Sequence, residues 1–253
     1  MGKSWARFVR GLRIVAAGAS LLAMTALFAW PVTWIVRGCG WLPRIQLVPA
    51  VAAGSVLVLV GIAVSVALCG RLYCSVVCPL GIAQDLVRGL ARLAGIRKTA
   101  RLGTESRGLR LFRRVVLALF VVGVPLGLTG LFEPYGIYGR FCVSAFARPV
   151  GLPLAVVVWG VAVCALILVA SAVWPRAWCN VVCPVGTFLG LFAGRARFRV
   201  RIDRTKCVNC NLCVKACDKG CISSDKEKKV NHSRCVSCLA CAGTCGKGAL
   251  TWR

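Results

Sequence analysis

Acidic side chains are nearly missing from this 253-residue sequence: 7 Asp and Glu stand against 33 Lys and Arg, for a net charge of +26. Histidine is scarcer still. The single one, His232, lies between two cysteine runs, so the apolar remainder cannot supply a bis-His haem, and no C-x-x-C-H attachment motif exists. Charge of any sign is sparse, at 16% against 58% apolar residues, with a mean hydropathy of +0.78. That balance excludes an ordinary water-soluble enzyme. The basic excess does not point to nucleic acid, because Lys and Arg flank apolar runs rather than gathering on one face. What is abundant is cysteine, 17 in all. Most fall in C-x-x-C and C-x-x-x-C spacings, which favour metal or cluster ligation over a disulfide framework.

Four stretches have the roughly 20 mostly apolar residues that a bilayer crossing needs. They run from Ile14 to Trp30 or Val36, Gln46 to Cys69, Arg113 to Phe132, and Gly151 to Trp174. Pro31, Pro49, Pro125 and Pro153 lie at or inside them, which membrane helices tolerate when neighbours satisfy the freed backbone groups. The first follows a basic tail (Lys3, Arg7, Arg10, Arg13) and is long for a signal peptide, so it reads as an uncleaved anchor. Basic residues number four in that tail, two from Arg37 to Arg44, ten from Arg71 to Arg114, two from Arg140 to Arg148, and fifteen from Arg176 onward. By the positive-inside rule both termini and the long middle connection are cytoplasmic, in a cell inner membrane crossed several times.

The two apolar halves repeat. Tyr73-Cys74-Ser-Val-Val-Cys78-Pro79-Leu-Gly81 matches Trp178-Cys179-Asn-Val-Val-Cys183-Pro184-Val-Gly186 at an offset of 105, and Pro31, Arg37 and Cys39 match Pro134, Arg140 and Cys142 at an offset of 103. An even number of spans per half makes the copies parallel, related by an axis along the membrane normal. Such an axis brings Cys74, Cys78, Cys179 and Cys183 together on the cytoplasmic side.

From about Ile202 a polar, cysteine-dense module begins, itself duplicated at an offset of 28: Cys207, Cys210, Cys213 and Cys217, then Cys235, Cys238, Cys241 and Cys245. Three thiolates at spacing three wrap one cubane while the fourth reaches the other, the bacterial two-cluster ferredoxin arrangement. Cys207, Cys210, Cys213 and Cys245 are thus expected on one [4Fe-4S] cluster, and Cys235, Cys238, Cys241 and Cys217 on the other. A zinc knuckle or ribbon would use well-separated ligand pairs. The proline that usually follows the fourth cysteine is Asp218 in one copy and Gly246 in the other. Cys221 falls where the second copy has Ala249, and reads as a small packing residue. The whole predicts an α-helical polytopic membrane protein, residues 1–200, with four transmembrane helices and a two-fold internal repeat (halves about 14–90 and 113–195). A small α+β two-cluster ferredoxin domain follows at residues 201–253.

Four spans, two C-x-x-x-C-P motifs after the second and fourth, and a C-terminal two-cluster module resemble the NapH, MauN and NosR group of membrane ferredoxin-type proteins. The resemblance covers nearly the whole chain. It implies electron transfer between the membrane quinone pool and a redox protein or reductase complex, with quinone or quinol as a further cofactor and a quinol dehydrogenase component as the enzymatic role. Two rivals stand beside it: a reductive maturation factor that handles copper or iron for a metalloenzyme, and a redox sensor.

Other candidates follow from chemistry. Cys74, Cys78, Cys179 and Cys183 admit three readings: a further metal or iron-sulfur site, a redox dithiol, or packing at helix ends. Cys69 and Cys164 read as apolar filler. Glu133 is the acidic residue that borders a span, where quinol oxidation needs a proton acceptor, against the blander role of an interfacial partner to Arg140. Trp30, Trp34, Tyr135 and Tyr138 at that level read as an interfacial belt. Cys39 and Cys142 face the outer side, where two cysteines tend to pair; a disulfide or redox-active pair there stands against two free buried thiols.

Overall fold

The computed structural model describes residues 3–30, 33–96, 106–124, 133–146, 154–225 and 227–252. Pro31, Pro125, Pro153, Arg148 and the predicted span ends at Phe132 and Gly151 lie outside the described residues.

The apolar first run forms one unbroken helix, α1 (Lys3–Ala29), which at 27 residues reaches about 40 Å. A short helix, α2 (Thr33–Cys39), follows it. The predicted second span is not one helix. It opens as α3 (Leu47–Ala52), turns at Gly54, where φ is +63°, and resumes as α4 (Val56–Cys69). Backbone at φ > 0 favours glycine and ends a helix. With 14 residues α4 is about 21 Å long, short of the roughly 30 Å hydrocarbon core.

The first motif supplies α5 (Tyr73–Val76) and α6 (Pro79–Leu93). α7 (Arg107–Gly123) begins six residues before the expected third span, with Arg107, Arg110, Arg113 and Arg114 in its first half. Then come α8 (Pro134–Phe146) and α9 (Leu154–Val173), followed by the second motif as α10 (Ala177–Val181) and α11 (Pro184–Ala193). Two helices, Ser4–Ala29 within α1 and the whole of α9, are long and apolar enough to cross a membrane. In both motifs the proline occupies the first helical position, where its missing N–H costs nothing and its fixed φ suits a helix start.

Packing crosses between the two halves. α6 lies on α9 and on α1, and α11 lies on α4 and on α7. The helix that follows each motif therefore covers an apolar helix of the other half.

The tail starts with β1 (Val200–Ile202), which pairs antiparallel with β2 (Leu250–Trp252) in the register Val200↔Trp252 and Ile202↔Leu250. Between them α12 (Leu212–Ala216) packs on α13 (Ala240–Thr244). The module docks on the helical part rather than hanging free. α13 packs on the start of α1, where Ala6 is buried within the module's core.

Gly81 and Gly186, two residues after the motif prolines, sit where a side chain has no room. A methyl at either would run into the carbonyl oxygen of Cys74 or Cys179, and at Gly186 it would also meet Arg71 Nη2 at 2.6 Å. Gly81→Ala and Gly186→Ala are each expected to lower stability by about 1–3 kcal/mol through overpacking. Gly89→Ala and Gly194→Ala, whose methyls meet nothing within 4 Å, serve as controls and should be neutral or slightly stabilising. Thermal unfolding of the detergent-solubilised protein is the measurement.

Candidate functional site

Spacing-three cysteine runs force the chain to turn inward at each step, and the structure does this with left-handed residues. Asn209 and Asn211 in the first run and Ser237 and Leu239 in the second all have φ between +50° and +59°, at positions that match under the offset of 28. Asparagine tolerates this conformation; Leu239, with a Cβ, is strained by about 1–2 kcal/mol there. Alternating right- and left-handed backbone of this kind directs N–H groups into an anion-binding concavity, a feature of iron-sulfur sites.

Each expected ligand set lines one cavity. Cys207, Cys210, Cys213 and Cys245 line a space of about 240 Å³ together with apolar side chains and with Lys206, Lys228 and Lys247. Cys217, Cys235, Cys238 and Cys241 line a second of about 20 Å³, together with Cys221. Among the described residues, no group of three or more His, Cys, Asp or Glu side chains closes around a single metal ion. One ion needs every sulfur at about 2.3 Å, whereas a cubane holds its thiolates further apart. Four thiol donors at each site, with lysines beside the first to offset its negative charge, suit a [4Fe-4S] cluster. A further sign lies at the edge of the second site: Nε and Nη1 of Arg13 are buried without partners while its guanidinium acts on Cys238.

The inner motif cysteines also meet. Cys74, Cys78, Cys179 and Cys183 are all buried and lie close enough to act on one another electrostatically. Burial pushes the Cys78, Cys179 and Cys183 thiols up toward the neutral form. Cys78 and Cys183 sit at the starts of α6 and α11, where their sulfurs accept N–H bonds from Gly81 and Gly186, the latter at 3.3 Å. Val236 and Cys238 of the tail pack into the same cluster of buried side chains.

Two arginines bind this centre together. Each precedes a motif by three residues, and each is fully buried. Arg71 donates to the Cys179 carbonyl (3.0 Å), to Asn180 Oδ1 (3.1 Å) and to the Ser233 carbonyl (2.8 Å). Arg176 donates to the Cys74 carbonyl (2.8 Å) and makes a two-pronged pair with Asp85 (2.9 and 2.7 Å). Lys219 approaches the same carboxylate at 2.7 Å, and Asp218 pairs with Arg92, so two consecutive residues of the tail clamp onto α6. Asp218, in place of the usual proline, is thus a docking residue. Sequence reasoning counted Arg71 and Arg176 as topology charges; their equivalence at the offset of 105 was the signal that could have singled them out.

The remaining candidates divide. Glu133 is buried and close enough to Arg140 to feel its charge, but Glu133 Oε2 and Arg140 Nη1 both lack a hydrogen-bond partner. Trp30 and Trp34 are exposed, as a belt requires. Tyr138 is not part of one: it is buried, with its hydroxyl 2.7 Å from Thr25 Oγ1, because a phenol can enter a core once its O–H is bonded. Cys39 and Cys142 are free thiols. Cys142 is fully buried and shares its surroundings with Tyr138 and Cys164, whereas Cys39 ends α2 half-exposed. Cys164, expected as filler, is thus beside a second thiol.

Burial alone raises the Asp85 carboxyl, but Arg176 and Lys219 outweigh it and hold the group well below the usual carboxylate range. A folded value below the unfolded one, about 3.9, stabilises the fold at neutral pH and loses that contribution as pH falls through the folded value. Asp85→Asn is therefore expected to cost about 3 kcal/mol at pH 7 by stranding a buried guanidinium. The gap to wild type should narrow only once the medium is more acidic than the ordinary carboxylate range, as read by thermal unfolding across pH.

Comparison with known proteins agrees with this chemistry. The Fer4_5 family, a 4Fe-4S binding domain, matches residues 51–97 and 153–203, and the Fer4 family, also a 4Fe-4S binding domain, matches residues 200–223. The ferredoxin-type protein NapH of Haemophilus influenzae is 32% identical over 151 residues, 58% of this chain and 47% of that protein. The methylamine utilization ferredoxin-type protein MauN of Paracoccus denitrificans is 29% identical over 198 residues, 78% of this chain and 59% of that protein. YccM of Escherichia coli K12 is 26% identical over 194 residues, 70% of this chain and 53% of that protein. The chain spans about half the length of the first of these curated relatives. No solved structure matches. The chain thus carries matches to 4Fe-4S binding domains and is similar to the NapH and MauN ferredoxin-type proteins.

Proposed function

We propose that the chain carries electrons between the quinone pool and a redox partner protein through two [4Fe-4S] clusters in residues 201–253. The observation that carries this is the coincidence of each expected ligand set with one cavity. Cys207, Cys210, Cys213 and Cys245 hold the first cluster; Cys235, Cys238, Cys241 and Cys217 hold the second. Bound there, a [4Fe-4S] cluster supplies one-electron transfer.

The chain's own residues do the rest. Val236 and Cys238 place the second site on the same buried cluster as Cys74, Cys78 and Cys183, which puts the inner thiols on an electron's way from the tail into the helical part. Those four thiols, all-sulfur and soft, suit a further centre, and Arg71 and Arg176 offset the negative charge it would bring. The clusters lie on the cytoplasmic side of a cell inner membrane, with residues 1–200 spanning it four times in two parallel halves. The cross-packing of α6 on α9 and α11 on α4 supports the halves, and the basic-residue count supports the orientation. On the opposite side Glu133, buried with an unpartnered oxygen, receives a proton released by quinol, and Arg140 keeps its conjugate base from being stranded.

Anaerobically purified protein should contain about eight iron atoms in the tail. Cys207→Ser should remove the first cluster's signal from electron paramagnetic resonance and retain the second. Adding quinol should reduce the clusters, and Glu133→Gln should slow that reduction by about 100-fold while leaving reduction by dithionite unchanged. Zinc in place of iron would overturn the cluster assignment; clusters that dithionite reduces but quinol does not would overturn the quinone link alone.

A further inference from the structure

We propose that Cys221 sets the reduction potential of the second cluster above that of the first, by donating its S–H to the ligand sulfurs of Cys217 and Cys235. This rests on the two-cluster assignment above and goes beyond it, since no ligand role is given to Cys221.

The internal duplication supplies the comparison. At the offset of 28, Cys221 corresponds to Ala249. Both are buried, and each lines its own cavity: Ala249 the first, Cys221 the second. A methyl in one site is therefore a thiol in the other. Cys221 lines the same cavity as Cys217 and Cys235, and its backbone N–H donates to Cys217 Sγ at 3.4 Å. Its main chain is held in place: the Cys221 carbonyl accepts from the Asn231 N–H at 2.7 Å, and the next residue, Ile222, bridges antiparallel to Val230.

Its proton has one competitor, the Lys219 carbonyl at 3.7 Å. A neutral carbonyl at that distance is a poor acceptor beside a sulfur that carries charge as an iron ligand. Ligand sulfurs gain negative charge when a cluster is reduced, so a donor aimed at them favours the reduced state and raises the potential. Cys221 stays a donor rather than a ligand, because the four irons of a cubane are already served by four thiolates. The consequence is directional. The electron settles on the second site, whose Cys238 packs into the buried cluster that also holds Cys74, Cys78 and Cys183, rather than on the first.

The test is a redox titration of the anaerobically purified full chain, followed by electron paramagnetic resonance, with iron content measured on every variant. Cys207→Ser identifies the second cluster's signal. Cys221→Ala should keep about eight iron atoms, shift the second midpoint down and leave the first where it was. Cys221→Ser, which keeps a donor, should restore part of the shift. The reciprocal Ala249→Cys should move the first midpoint up, and it remains informative if Cys221→Ala folds poorly. Unshifted midpoints in iron-replete variants overturn the proposal and leave the two-cluster assignment intact. Loss of the second cluster in Cys221→Ala overturns it too, by making Cys221 a ligand. A wild-type chain without cubane signals overturns the assignment on which the proposal rests.

Discussion

Two guanidinium groups taken entirely out of water organise this molecule. Desolvating a cation costs several kcal/mol even after relaxation, so Arg71 and Arg176 hold their places only where enough acceptors surround them. Neither finds them in its own half. Arg71 reaches the carbonyl of Cys179 and Arg176 that of Cys74, so each half of the helical part is incomplete without the other. The two motif loops are bound at the backbone next to their first cysteines, and the four inner thiols are brought together as a result. Gly81 and Gly186 allow the approach, because a side chain there would displace the carbonyl that the opposite arginine needs.

The two arginines complete their shells differently, and the difference docks the tail. Under the offset of 105, Asp85 on α6 corresponds to Gly190 on α11. Where the first half offers Arg176 a carboxylate, the second leaves a gap. The Ser233 carbonyl of the tail enters that gap, 2.7 Å from where a Cβ on Gly190 would stand, and accepts from Arg71. Asp85 in turn draws in Lys219. Both arginine shells thus contain a group from the cluster-binding module. A module held by buried charge at two points is rigid relative to the inner thiols, and electron transfer between neighbouring centres depends on such fixed separation.

The grouping of the tail cysteines into two sets was legible in the residues because it is local. Spacings of three and the offset of 28 fix which sulfurs can share a cubane, and each expected set does line one cavity. The meeting of Cys74, Cys78, Cys179 and Cys183 was likewise readable, from the repeat at 105. Less legible was anything that turns on a single φ or on which neighbour fills a space. The break of the second apolar run at Gly54 is one case; composition alone makes Gln46 to Cys69 look continuous. Tyr138 is another, drawn from an interfacial belt into the core by one hydroxyl partner, Thr25.

The sequence by itself determined the chemistry: abundant thiols in ligand spacing, long apolar runs, scarce acid, and two superimposed duplications. Tertiary structure alone decided how the duplicated parts stop being equivalent. Asp85 and Gly190, or Cys221 and Ala249, are ordinary differences between two copies until a fully buried arginine or a cavity lined by four further cysteines is found beside them. The reason is range. A cubane's ligands mostly come from one short loop, whereas the partners of a buried charge are chosen by whatever packs against it, here from residues 91 to 162 positions away. No local pattern records that choice.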